Sequence, residues 1–376
     1  MSLAPPPSQA DSPYAPYVKS GRFVHLSSVG PVDGAGAVEG DDVAAQTRRT
    51  LENLRERLRA AGTALDRVAA VMVYLRDAAD FAAMNQAYAA FFPHDPPTRT
   101  TIVVPPADPK AQLEISAVGL MPDAERRTVL PSGWKPSPSP YSYAILSGDT
   151  LFLSGLVARN PADNSFEGGD VATQTRAVLE SAGTILQAAG MTHADVVSAR
   201  VYLPDSSGFP AMNEAYRAFF PEPRPARAAV QAGLAGRDYV VEITLLAVKS
   251  GAHRAIVTPI EHGTPGPASP NLSAAIQTGE RLFLSGMLGN SKATKDDAAA
   301  QTRVTLDRLG RTLQAAGFDW EHVKDGILYV TDAANCATVE SLWRERLGSQ
   351  KAAGVTIVTD LVAPDGLVEI MLTAAR

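Results

Sequence analysis

Apolar positions in the first third of the chain switch between two periods. Arg22-Phe23-Val24-His25-Leu26 reads as a strand, and from Val43 the spacing becomes helical, with Val43, Thr47, Leu51, Leu54, Leu58 and Ala61 on one stripe. The acidic pair Asp41-Asp42 supplies N-cap chemistry for that helix, and Gly62 is placed to end it as the C′ residue. Val68 to Leu75 is a β-rich run, and Phe81 to Phe91 returns to helical spacing before Pro93. Thr100 to Val104 and Leu113 to Val118 are two further strands, and the short link between them, with Pro105, Pro106 and Pro109, predicts a hairpin. The expected unit is therefore strand, helix, strand, helix, strand, strand, with the first helix lying on a sheet.

The same pattern then repeats. Ala45-Gln46-Thr47-Arg48 returns as Thr173-Gln174-Thr175-Arg176 and as Ala300-Gln301-Thr302-Arg303. Ala60-Ala61-Gly62 and Val73-Tyr74-Leu75 keep the same step, as Ala188-Ala189-Gly190 with Val201-Tyr202-Leu203 and as Ala315-Ala316-Gly317 with Leu328-Tyr329-Val330. A step this long exceeds the roughly 20–50 residues of solenoid and propeller repeats, so each copy is expected to be a domain with its own core. Pro- and Gly-rich stretches, Pro122 to Pro140 and Ser250 to Pro270, separate the copies and predict domains at 1–121, 122–249 and 250–376. Arg127-Thr128-Val129-Leu130 and Arg254-Ala255-Ile256-Val257 read as first strands of the second and third. Met1-Ser2-Leu3-Ala4-Pro5-Pro6-Pro7 cannot join a ladder, so the first domain is expected to lack that strand.

Composition narrows the function classes. The 376 residues are 45% hydrophobic, yet no apolar run approaches the roughly 18–20 needed to cross a bilayer. Met1 to Ala10 carries neither a basic nor an apolar signal segment, which with the single Cys336 fits a cytoplasmic, reducing address. A net charge of −6 offers no overall footprint for nucleic acid. The six histidines show no paired ligand spacing and read as surface or loop residues, so neither a metal nor another cofactor is expected. Gly34-Ala35-Gly36 lies in a short loop, not in a nucleotide-binding pattern, and the arginines of the first helix interleave with Glu52 and Glu56 as a solvated face.

The predicted hairpin carries the first chemical inference. A turn centred between Pro106 and Ala107 sets Arg99 opposite Glu114, and one between Leu234 and Ala235 sets Arg227 opposite Glu242. Such a pair is either a carboxylate-binding fork beside a proton-transfer group or a cross-strand salt bridge. The third copy keeps Glu369 but has Gly354 in the arginine column, which predicts that the glutamate does not need an arginine for folding.

Pro13-Tyr14 and Pro140-Tyr141-Ser142, the Ser154-Gly155 and Ser285-Gly286 pairs, Glu39-Gly40-Asp41 before Ala-Gln-Thr-Arg, Ala83-Met84-Asn85 with Tyr88, and Pro97-Thr98-Arg99 together resemble the Rid (YjgF) family across the whole chain. The resemblance implies a chorismate-mutase-like α+β fold, each copy a mixed sheet with two helices on one face. It also implies interface pockets of the kind found in the family's homotrimers, here in a single-chain, monomeric pseudo-trimer. The implied activity is cofactor-free hydrolysis of enamines and imines such as 2-aminoacrylate to 2-oxo acids and ammonia. By the same resemblance, Arg99 and Arg227 hold a small substrate's carboxylate, and Glu114 and Glu242 position water. Tyr14, Tyr141, Asn85, Asn213, Ser154 and Gly155 line the pockets, with Ser28 standing where Gly155 does. The third copy departs from the pattern, with Leu272, Glu340 and Gly354 in the Tyr, Asn and Arg columns. Only an interface built wholly from copies one and two is then expected to be intact. The rival readings are a non-catalytic carboxylate-binding or regulatory protein, a chorismatase-like hydrolase, and a ribonuclease.

Overall fold

The computed structural model describes residues 12–236, 238–249, 253–259 and 268–376. The Met1–Pro7 and Met1–Ala10 expectations, the Pro265–Pro267 stretch and His262 lie outside those residues. The first copy runs β1 (Tyr17–Ser20), β2 (Phe23–Val29), α1 (Val43–Ala60), β3 (Val68–Leu75), α2 (Phe81–Ala89), β4 (Thr98–Val103) and β5 (Leu113–Leu120). The second has β6 (Arg127–Val129), β7 (Ala144–Ser147), β8 (Thr150–Leu153), α3 (Val171–Ala188), β9 (Val196–Leu203), α4 (Phe209–Arg217), β10 (Ala226–Gln231), β11 (Gly233–Leu234) and β12 (Glu242–Val248). The third has β13 (Arg254–Ile256), β14 (Ala275–Thr278), β15 (Arg281–Leu288), α5 (Ala298–Ala315), β16 (Val323–Val330), α6 (Cys336–Leu347), β17 (Ala353–Val358) and β18 (Val368–Ala375). The architecture is α+β, three mixed sheets each carrying two helices on one face.

Local chemistry accounts for the helix limits. Asp42 accepts a hydrogen bond from the Ala45 N–H at 2.7 Å, Asp170 and Asp297 cap α3 and α5 in the same way, and Gly62 leaves α1 at φ +79°. β1–β2, β7–β8 and β14–β15 are tight antiparallel hairpins that the strand pattern alone does not separate. Each turns on a glycine of positive φ, Gly21, Gly148 or Gly279. In the first copy, described residues supply no counterpart to the edge strands β6 and β13.

Both faces of each sheet are covered, which is why β3 is buried almost throughout. Val71, Val73 and Leu75 point under α1 and α2, against Leu51, Leu54, Leu58, Met84 and Tyr88. Met72 and Tyr74, one residue out of phase, point the other way and pack with Tyr202, Val230, Tyr329 and Ile357 from the other copies. The three sheets thus share a central core, and the strands cross copies: β11 extends the first sheet beside β4, and Val230 bridges Leu361. Trp343 is fully buried in the third core, as expected of a core aromatic. No helix among the described residues is long and apolar enough to cross a membrane.

Candidate active site

The predicted β4–β5 hairpin does not form. β3 lies between the two strands, parallel to β4 and antiparallel to β5, so Arg99 registers with Val71 and Glu114 with Tyr74. In the second copy β9 separates β10 from β12 in the same way, with Arg227 beside Ala199 and Glu242 beside Tyr202. The reason is the helix before each arginine strand: a strand, helix, strand crossover returns parallel, and the Pro-rich link then passes over the end of the middle strand. Neither Arg99–Glu114 nor Arg227–Glu242 is therefore a pair.

The partners come instead from the next copy around a ring. The Ser142 N–H donates to the Pro97 carbonyl at 3.1 Å, Ser273 to Pro225 at 3.3 Å and Ala15 to Ala352 at 2.9 Å, closing the circle. One serine hydroxyl per junction locks it: Ser154 accepts from the Arg99 N–H at 2.9 Å, Ser285 from Arg227 at 2.8 Å and Ser27 from Gly354 at 2.9 Å. Each interface thus takes its arginine strand from one copy and its glutamate, Ser-Gly and Pro-Tyr segments from the following one.

At the first interface, Arg99 is 4% exposed, and Tyr88, Phe81 and Tyr141 lie with ring centroids 5.0, 5.6 and 5.6 Å from its guanidinium carbon. Across from it stands Glu242 of the second copy, with no hydrogen bond or ion pair joining the two. Burial pushes the Glu242 carboxyl up to about 8, against the opposing pull of the Thr101 backbone N–H and Arg99. The missing side chain of Gly155 makes this possible, because a Cβ there would stand 1.9 Å from Glu242 Oε1. Arg99 Nη1 and Asn85 Oδ1 are buried without a partner. Leaving such donors and acceptors dry costs about 1–3 kcal/mol each.

The second interface repeats the frame with different contents. Arg227 is 2% exposed and donates from Nη2 to Asn213 Oδ1 at 2.6 Å, while Nε and Nη1 have no partner. Glu369 faces it and is pushed up to about 8 by burial, with Gly286 as the space-making glycine. Glu369 therefore has an arginine after all, supplied by the preceding copy. Leu272 stands here in the column of Tyr141.

The third interface lacks the arginine of the other two, and Arg57 of α1 is instead a cation that acts on Glu114. Glu114 faces Gly354, and the Tyr14 ring occupies the space an arginine side chain would need, 2.6 Å from an ideal Cβ at 354. The Tyr14 hydroxyl hydrogen-bonds Thr356 Oγ1 at 2.7 Å, and that hydroxyl donates to Glu340 at 2.6 Å. Burial raises Glu114, with the Ser28 hydroxyl pulling it down and Glu340 pushing it up. Tyr14, Ser28 and Glu114 thus meet one another here, far from Arg99 and Arg227. Among the described residues, Arg, Tyr, Ser-Gly and Glu converge only at the first interface, as Arg99, Tyr141, Ser154, Gly155 and Glu242, with Asn85 on α2 between Phe81 and Tyr88.

Sequence reasoning missed the work of the repeated glutamine. Gln174 Nε2 donates to the Gly169 and Asp238 carbonyls at 3.1 and 3.0 Å, while its Oε1 accepts from the Val240 N–H at 3.0 Å. Gln46 and Gln301 make the matching bonds. Each glutamine pins the loop that delivers the glutamate strand. A second correction concerns His25, which was read as a surface or loop residue but sits on β2 facing Asp325 at the centre of the molecule.

Known proteins show the same plan. The family model described as Endoribonuclease L-PSP matches three times, over residues 4–121, 135–249 and 264–376. A RutC family protein of Pyrococcus horikoshii is 42% identical over 110 residues, 29% of this chain and 87% of that protein. The 3-aminoacrylate deaminase RutC of Acinetobacter baylyi is 37% identical over 122 residues, 32% of this chain and 97% of that protein. A chorismatase crystal structure superimposes with a TM-score of 0.55 at 18% identity, covering 82% of this chain and 93% of that one, a likeness of fold.

Proposed function

Since the chain belongs to the Endoribonuclease L-PSP (Rid) family in all three of its copies, we propose that it deaminates 2-imino and enamine acids hydrolytically at the interface of copies one and two. The observation that carries this reading is the buried Arg99, short of one partner, facing a glutamate biased toward its neutral form. The Acinetobacter baylyi relative named as a 3-aminoacrylate deaminase supports the reaction class.

Arg99 takes the substrate carboxylate through its planar fork. That anion neutralises the guanidinium, so Glu242 loses its stabilising cation and stays protonated in the complex. With an enamine acid, Glu242 donates its proton to carbon 3, giving the 2-iminium acid. The resulting carboxylate then accepts a proton from water as the water oxygen bonds to carbon 2. Glu242 passes that proton to the carbinolamine nitrogen and takes up the hydroxyl proton as the C–N bond breaks, releasing ammonia and the 2-oxo acid with Glu242 neutral again. Tyr88, Phe81 and Tyr141 hold the guanidinium plane, and Asn85 Oδ1 is free to accept from the substrate nitrogen.

The test is release of ammonia and 2-oxo acid from imines generated by an amino-acid oxidase. Arg99→Ala is expected to lower kcat/KM by about 10²-fold or more through lost positioning. Wild-type protein that fails to accelerate the hydrolysis of small, aliphatic and aromatic imines refutes the proposal. Loss in Arg227→Ala with Arg99→Ala unaffected would move the site to the second interface.

A further inference from the structure

One cavity lies on the pseudo-threefold axis, not at the lateral interfaces. It has a volume of about 180 Å³ and is lined by all three copies. Met72, Phe152, Phe283 and Met371 give it an apolar wall, into which four charged or ionisable side chains intrude: Arg200, His25, Asp325 and Arg281.

The sister copies act as internal controls for these four. Strand register matches Arg200 with Met72 and Ile327, and Asp325 with Ala70 and Ser198. His25 corresponds to Phe152 and Phe283, and Arg281 to Phe23 and Thr150. In every column two copies close the same core with apolar or small neutral residues. Ring closure therefore does not require the charges, and each costs desolvation free energy. Asp325 is engaged by His25 and also acts on Arg200, whose charge Tyr202, Tyr329 and Tyr74 favour as well, though Arg200 donates no hydrogen bond to any described residue. At the mouth, Arg281 bonds Asp149 at 2.6 Å and Thr150 at 2.7 Å, and Arg22 reaches the same Asp149 at 3.6 Å. Two arginines and one carboxylate thus line this cavity, in a chain of net charge −6.

We propose that the axial cavity binds a small carboxylate with a flat apolar body, its carboxylate on Arg200 and its ring among Met72, Phe152 and Phe283. Size agrees, since a dry apolar cavity of about 150 Å³ takes up benzene and this one adds room for a carboxylate.

Benzoate is the probe, titrated calorimetrically. Arg99→Ala and Arg227→Ala are combined first, because those arginines also attract carboxylates. One benzoate is expected to bind the double variant, with affinity falling at least about tenfold when Arg200→Met is added and partly restored by Arg200→Lys. Benzyl alcohol, which lacks the charge, is expected to bind equally with either residue at 200. Met already fills this column in copy one, so the fold should tolerate it. Co-crystals of the double variant with 4-bromobenzoate give an independent readout through the bromine signal. No binding in the double variant, no effect of Arg200→Met, or bromine only in the lateral clefts overturns the proposal.

Discussion

Gly155→Ala tests whether the site depends on the space that residue leaves. The added methyl would stand 1.9 Å from Glu242 Oε1 and 2.9 Å from Thr100 Cγ2, whereas real Cβ contacts essentially never fall below 3.0 Å. The carboxylate must therefore retreat by at least about 1 Å. Misplacement on that scale costs about 10²-fold in rate, while overpacking on its own costs about 1–3 kcal/mol of stability. The expected result is a folded protein whose kcat/KM for imine hydrolysis drops about 10²-fold. Because the methyl acts by displacing Glu242, it should add little further loss in a Glu242→Gln background. Near-normal activity in folded Gly155→Ala, or an undiminished second loss in the double variant, refutes the reasoning.

Three further outcomes follow from the geometry. If neutral Glu242 is the proton donor, kcat/KM falls as pH rises through about 8, and Glu242→Gln loses about 10²–10⁴-fold; a flat profile across that range argues against the assignment. Glu242 and Glu369 are both raised from 4.5 to about 8 in the folded chain, so the native state holds protons that the unfolded chain has released. Stability is accordingly lost as pH rises from 4.5 through about 8, by up to about 1.4 kcal/mol per unit for each group. Urea midpoints of the Glu242→Gln, Glu369→Gln variant should fall less between pH 6 and 8 than those of the wild type, and an equal fall refutes the assignment. Gln174→Ala strands the Val240 N–H and the Asp238 carbonyl and should destabilise by at least about 2 kcal/mol in chemical denaturation; a change under about 0.5 kcal/mol would show that water replaces the amide.

Features set by neighbours in sequence were legible before the structure. The α1 stripe, its Asp42 cap and its Gly62 stop are local, whereas the β-rich run from Val68 to Leu75 did not show which of its side chains face the other sheets. The site column of Arg, Asn, Tyr and Glu was visible too, but not who faces whom. Index arithmetic assumed that β4 and β5 touch, and the intervening β3 removed that premise. Partnership between Arg99 and Glu242, or between Arg227 and Glu369, is fixed by the order of copies around a ring, which no window of one copy contains. Gln46, Gln174 and Gln301 recur most visibly, yet they serve the loops, and the proposed chemistry uses less conspicuous residues.

The plugging of the third interface by Tyr14 bears on the order of assembly. Tyr14 and Thr356 are 342 residues apart in sequence, whereas the first interface needs only copies one and two. On a growing chain the Arg99–Glu242 interface can form early, and the circle can be fastened only once β17 is available to receive Tyr14. Loop-closure entropy grows only with the logarithm of length, so this last clasp is slow to become possible without being costly to make. Until then the β4 and β10 segments that later meet β17 across the axis remain an open crescent, and the nascent protein would depend on the whole third junction, with Ala15 on Ala352, Ser27 on Gly354 and Tyr14 on Thr356, to hide its central core from other chains.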